Sequence, residues 1–188
     1  MKKSMSPQKI RARLRRSAAE QVPVAVRRRF DPQERVEGIV LDIGARWVLL
    51  ASLRDAAYFD GFTLLRLEDI RRVKVDPTFL PALRTGHTWP PSAPAGPLDL
   101  SDPAGFLAGI ARQVPALALH EEARRPDMLW IAAPTEVGQK SILVRMIDPD
   151  CTWNDYLTKV KFRHLTRVDF GDDYIRAVLE VASPAEAI

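Results

Sequence analysis

Five cations crowd one short stretch near the amino terminus: Lys9, Arg11, Arg13, Arg15 and Arg16, with Lys2 and Lys3 before them and Arg27, Arg28 and Arg29 after. Such density attracts phosphate backbones, and the resulting binding to RNA or DNA falls steeply with salt. The same charges suit an acidic protein partner or an anionic membrane surface. The apolar stripe beneath them (Ile10, Leu14, Ala18) is narrow and lacks bulky aromatics, which argues against lying in lipid. The plainer reading is a solvated helix face in a chain with 21 Arg against 7 Lys. A second basic row, Lys159, Lys161 and Arg163, alternates with Val160 and Phe162, so a strand places all three charges on one face. There they either meet phosphates or form the wet side of an antiparallel strand and blunt its edge. Two aromatic segments, 55–61 (DAAYFDG) and 148–156 (DPDCTWNDY), occupy equivalent hairpin positions. Their Tyr58, Phe59, Trp153 and Tyr156 are candidates to stack bases or anchor a partner, or else to close the end of a core.

Catalytic candidates are thin. His120 and Glu122 share a strand face, Glu121 takes the other, and no third or fourth metal ligand is designated. Cys151 has no nearby His, and His164 falls in a turn between two strands. Asp169, Asp172 and Asp173 precede a helix, where capping explains them. Arg72 and Arg167 recur at one position of a repeat, which fits a shared packing or hydrogen-bonding role. There is no glycine-rich phosphate loop. The expectation is therefore a protein that is not an enzyme and holds no cofactor or metal.

The elements that position these residues follow from composition and pattern. The chain has 188 residues, 46% of them hydrophobic and 28% charged, enough for one sizeable domain or two small ones. Its net charge of +4 is uneven: residues 1–35 carry eleven basic and three acidic side chains, and the rest sum to −4. A single cysteine excludes a disulfide framework. No apolar run approaches the roughly 20 residues of a membrane helix, and the basic start has no apolar stretch behind it, so a soluble cytoplasmic protein is expected.

The chain repeats itself with a period near 94 residues. Residues 36–53 align with 130–147 without a gap, placing Gly44 on Gly138 and Leu49 on Leu143, and 69–73 (DIRRV) aligns with 164–168 (HLTRV). Each copy opens with a Ser- and Pro-initiated helix, over about 7–20 and 103–113. Five strands follow in each: 22–30, 35–43, 46–54, 62–67 and 71–75, then about 116–122, 128–136, 141–147, 157–163 and 166–170. Residues 77–103 hold seven of the fifteen prolines and read as an extended linker, with Trp89 docking on a barrel surface. Asp172 caps a closing helix. The expected division is 1–76 for the first helix and barrel, 77–99 for the linker, and 100–188 for the second helix, barrel and closing helix.

The segment V-x-V…E-R-V-E-G-x-V…W-V-L-L, with Gly38 as the bending glycine, resembles the first sequence motif of the Sm-like branch of the SH3-like barrels. The resemblance implies a mainly β (α+β) chain: two tandem SH3-like or Sm-like five-stranded small barrels, each preceded by a short helix, plus a C-terminal helix. The Sm uridine pocket is not implied, because the loop residues Asp42-Ile43-Gly44-Ala45-Arg46 and Glu136-Val137-Gly138-Gln139-Lys140 lack its Asn. Residues 165–174 (LTRVDFGDDY) also resemble the closing segment of bacterial proteins with no assigned activity. Function is then expected from a non-catalytic binding module that contacts RNA or DNA through the basic front segment. The alternative is an adaptor using barrel edges and aromatic hairpins to hold a protein partner. Strand edges left by small barrels are satisfied by intramolecular pairing or a homodimer.

Overall fold

The structure, a computed structural model, describes residues 4–31, 33–94, 96 and 98–182. Lys2 and Lys3 of the basic segment and Pro32 of the first turn lie outside the described residues. Helix α1 (Pro7–Glu20) starts where the Ser6 hydroxyl accepts the Lys9 amide and Pro7 supplies a first-turn residue that needs no amide donor. It buries Ile10, Leu14 and Ser17, and ends at Gln21 in the left-handed region with φ 51°.

Five strands follow: β1 (Val24–Arg28), β2 (Val36–Ile43), β3 (Trp47–Arg54), β4 (Tyr58–Arg66) and β5 (Ile70–Val75). Helix α2 (Leu80–Gly86) and helix α3 (Pro103–Ala111) come next, then β6 (Leu117–His120), β7 (Leu129–Val137), β8 (Ser141–Ile147), β9 (Trp153–Lys161), β10 (Arg167–Phe170) and helix α4 (Asp173–Val181). A 3-10 turn bends the chain after β4 at Leu67–Asp69 and after β9 at Phe162–His164.

The expected pair of tandem five-stranded small barrels is not what forms. All ten strands make one open antiparallel sheet in the order β5-β1-β2-β3-β4-β10-β6-β7-β8-β9. The physical reason lies at β4. Its outer edge, which a closed barrel would satisfy from within its own half, is taken by β10, with Leu65 opposite Arg167, Leu64 opposite Val168 and Thr63 opposite Asp169. The 3-10 turns carry β5 and β10 away from the strands that precede them.

The strand order within each half, most of the register and two of the irregularities recur from one half to the other, whereas the bulge of the β1–β5 pair at Arg27 and Arg28 has no counterpart between β6 and β10. Gly38 faces Ser52 as Ala132 faces Met146, and the bulge between Val40 and Asp42 returns between Pro134 and Glu136. A second bulge, between Ala51 and Leu53, returns between Arg145 and Ile147. A Cβ at Gly38 would stand 2.6 Å from the Ala51 carbonyl oxygen, so the bend at that position requires glycine.

Strands β4 and β9 are longer than the sequence implied. They take in the segments read as hairpins, so Tyr58, Phe59, Trp153 and Tyr156 are strand residues. The proline-rich segment also differs from an extended linker. It contains α2 and contributes Leu83, Leu98 and Leu100 to buried clusters, and Leu100 lies against Gly44. Trp89 is half-buried beside Phe59 and donates from Nε1 to the Gln21 side chain at 3.0 Å. The largest core joins both halves, with Trp47, Leu49 and Leu64 against Phe106, Ile110, Leu119 and Val168. No helix among the described residues is long and apolar enough to cross a membrane.

Candidate nucleic-acid interface

Strand β9 lies at one end of the sheet, with β8 on its inner side and no strand on its outer side among the described residues. Its alternation is the one its residue types require. Within β9, Val160 is buried between the exposed Lys159 and Lys161, while the buried Phe162 and exposed Arg163 belong to the 3-10 turn that follows and not to the strand the sequence implied. These three cations line a groove of about 980 Å³ whose opposite wall is the 121–130 segment, carrying Arg124 and Arg125. Tyr156 of β9 and Tyr174 of α4 also line it, and they are 64% and 62% exposed. Met128, Leu129 and Trp130 give the groove an apolar strip, and the Arg125 guanidinium lies 5.0 Å from the Trp130 ring centroid. Glu121, Asp127 and Asp148 are its acidic members.

His164 also lines this groove. Burial, and then the positive charges of Arg124, Arg163 and Lys161, hold its ring below the ordinary histidine value, against the opposing pull of Glu121. The Arg163 side chain reaches His164 at 3.2 Å. Positive potential from two separate chain segments thus converges on one concave surface beside exposed aromatic rings.

The amino-terminal cations are dispersed by contrast. Arg11 donates to the backbone carbonyls of Gly44 and Ala45, pinning the β2–β3 turn to α1. Arg13 donates to the Val73 carbonyl, and Arg16 pairs with Glu20 at 2.9 Å. Lys9 and Arg15 are exposed. Arg27 and Arg29 point outward, and Arg29 pairs with the buried Asp69 at 2.7 Å. Arg28, between them, faces the interior with its side chain fully buried, as the period of two in β1 requires. Of the four aromatic candidates, Tyr58 and Tyr156 are exposed. Phe59 packs with His87 and Trp89, and Trp153 lies under the Arg145 guanidinium.

Sequence reasoning missed a polar cluster at the junction between the halves. Arg28 donates to Glu122 through both terminal nitrogens and to Glu34 at 2.6 Å. Glu122 accepts the Thr166 hydroxyl at 2.6 Å. Asp169 accepts from Thr63 at 2.6 Å and from Arg167 at 2.8 Å, and lies 2.7 Å from His120 Nε2. Arg167 also reaches Glu34 at 2.8 Å. Burial pushes the Glu122 carboxyl up, but the Arg28 bond and charge and the Thr166 hydroxyl outweigh it, so the group sits below its ordinary value. Asp169 is likewise held far down against its burial, by Arg167 and then His120. The alternation of Arg167 and Asp169 with Val168 and Phe170 was the available signal, since both polar groups must share one face of β10. Arg124, Arg125 and Tyr174 carried no signal, because their place in the groove depends on where the 121–130 segment and α4 fold.

Comparison of the chain with protein-family models, with curated proteins and with solved structures gives no match.

Proposed function

We propose that the protein is a non-catalytic module, working in the cytoplasm, that binds single-stranded RNA or DNA in the groove beside β9. The observation that carries this reading is the convergence of Lys159, Lys161 and Arg163 with Arg124 and Arg125 around the exposed rings of Tyr156 and Tyr174. The cations track a phosphate backbone, and the tyrosines offer faces for unpaired bases, which a duplex keeps stacked inside. The basic α1 contributes Lys9 and Arg15 at most, since Arg11, Arg13 and Arg16 already hold protein partners.

The test is fluorescence anisotropy with labelled single strands and duplexes of about 12 nucleotides across a salt series. Engagement of the five groove cations predicts a slope of log affinity against log salt near −3.5, from about −0.7 per phosphate on a single strand. A duplex is expected to bind more weakly. A mild salt dependence, with affinity instead for an acidic extended peptide, would favour an adaptor that takes a strand along the uncovered β9 edge.

A further inference from the structure

The two halves place the same backbone edges in two situations, once joined and once free. At the junction the Arg66 amide donates to the Thr166 carbonyl at 3.2 Å, and Leu64 and Thr63 face Val168 and Asp169. One repeat away, Thr166 corresponds to Arg71, Val168 to Val73 and Arg66 to Lys161. The outer edges of β5 and β9 are therefore a second mating pair, β5 of one copy matching β9 of another. A contact of that kind is head-to-tail and builds rings or open chains.

Both edges carry devices against it. The Arg71 carbonyl, counterpart of the acceptor that fastens the junction, already receives the Met5 amide at 2.9 Å and the Ser4 hydroxyl at 3.3 Å. The Arg13 guanidinium donates to the Val73 carbonyl. Charge acts in the same direction: Asp169, which anchors the junction through Thr63, has Lys74 as its counterpart on β5. The incoming β9 would bring Lys159 and Lys161 against Arg71, Arg72 and Lys74.

We propose that the segment from Ser4 to Arg13 is a strand-edge cap, which closes β5 to a second copy of this chain while the β9 lysines repel one. The duplicated junction thus forms once, inside the chain, and does not propagate. The test compares the wild-type chain with a full-length variant carrying Met5→Pro and Arg13→Ala, which remove the backbone and guanidinium donors and leave only the longer Ser4 hydroxyl contact, and Lys159→Glu and Lys161→Glu, which reverse the charge on β9. Mass is read by sedimentation equilibrium without nucleic acid, at loadings up to about 200 µM. The wild type is expected at the mass of one chain throughout, and the variant at twice that mass or more at the highest loading. A wild type that already associates, or a cooperatively melting variant that stays at one chain mass, would overturn the proposal. If the fourfold variant does not melt cooperatively, a Met5→Pro, Arg13→Ala chain is mixed with a Lys159→Glu, Lys161→Glu chain. A complex is then expected, and its absence overturns the proposal equally.

Discussion

Replacing Arg28 with Met tests how the two halves are held together. The Arg28 side chain is fully buried and bridges Glu34 of the first half to Glu122 of the second. Met keeps much of its volume and removes the charge. Glu122, 9% exposed, then loses its guanidinium partner, while Glu34, 29% exposed, keeps only Arg167. Breaking a buried pair in this way costs about 3–5 kcal/mol, because a charge stays buried without compensation. The loss depends on pH with a definite sign. In the wild type the Glu122 carboxyl sits below its ordinary value, so its contribution is complete above the unfolded pKa and disappears as pH falls through the folded one. In Arg28→Met the largest lowering causes are gone, only the Thr166 hydroxyl and the charge of His120 still oppose burial, and the Glu122 carboxyl rises relative to the wild type, so protonation relieves the variant. Urea denaturation of both proteins at pH 7 and at about pH 4.5 should show the difference shrinking on acidification. A loss below about 1 kcal/mol at pH 7, or one indifferent to pH, would refute the reasoning.

Asp169→Asn removes the charge shared by Arg167 and His120 and is expected to cost about 3–5 kcal/mol. Because the Asp169 carboxyl is held far below the ordinary range, that loss should not shrink between pH 7 and about pH 4.5, in contrast to Arg28→Met. Gly38→Ala drives a Cβ to 2.6 Å from the Ala51 carbonyl oxygen and should destabilise by about 1–3 kcal/mol, visible as a lower Tm. Tyr156→Ala and Tyr174→Ala should each weaken single-strand binding by about 1–3 kcal/mol while leaving the salt slope unchanged, as anisotropy titration would show.

Local rules made much of the strand pattern legible. The alternation of Lys159, Val160 and Lys161 placed the two lysines on one face of β9, although the strand ends before Arg163, and the internal repeat aligned strands two of whose bulges recur. Closure was the failure. Whether the outer edge of β4 finds β5 or β10 depends on contacts more than 100 residues apart, such as Thr63 with Asp169, and no local propensity encodes that choice. The amino-terminal cations show the same dependence on tertiary structure. Charge density does not say which arginines meet carbonyls of the same chain, and Arg11 and Arg13 do so through residues 33 and 60 positions away. Arg28 was read with its neighbours as part of a cluster, although the period of two in β1 sends it inward. The groove joins β9, the 121–130 segment and α4, and its shape belongs to tertiary structure.

The most direct test of the proposed function sets the two basic regions against each other. Single-strand affinity at low salt is measured for a groove variant, Lys159→Ala, Lys161→Ala and Arg163→Ala, and for a helix variant, Lys9→Ala and Arg15→Ala. The groove variant is expected to lose most of the affinity and about two units of salt slope, at about 0.7 per phosphate contact, while the helix variant stays close to wild type. Loss of binding in the helix variant with the groove variant unaffected would contradict the account.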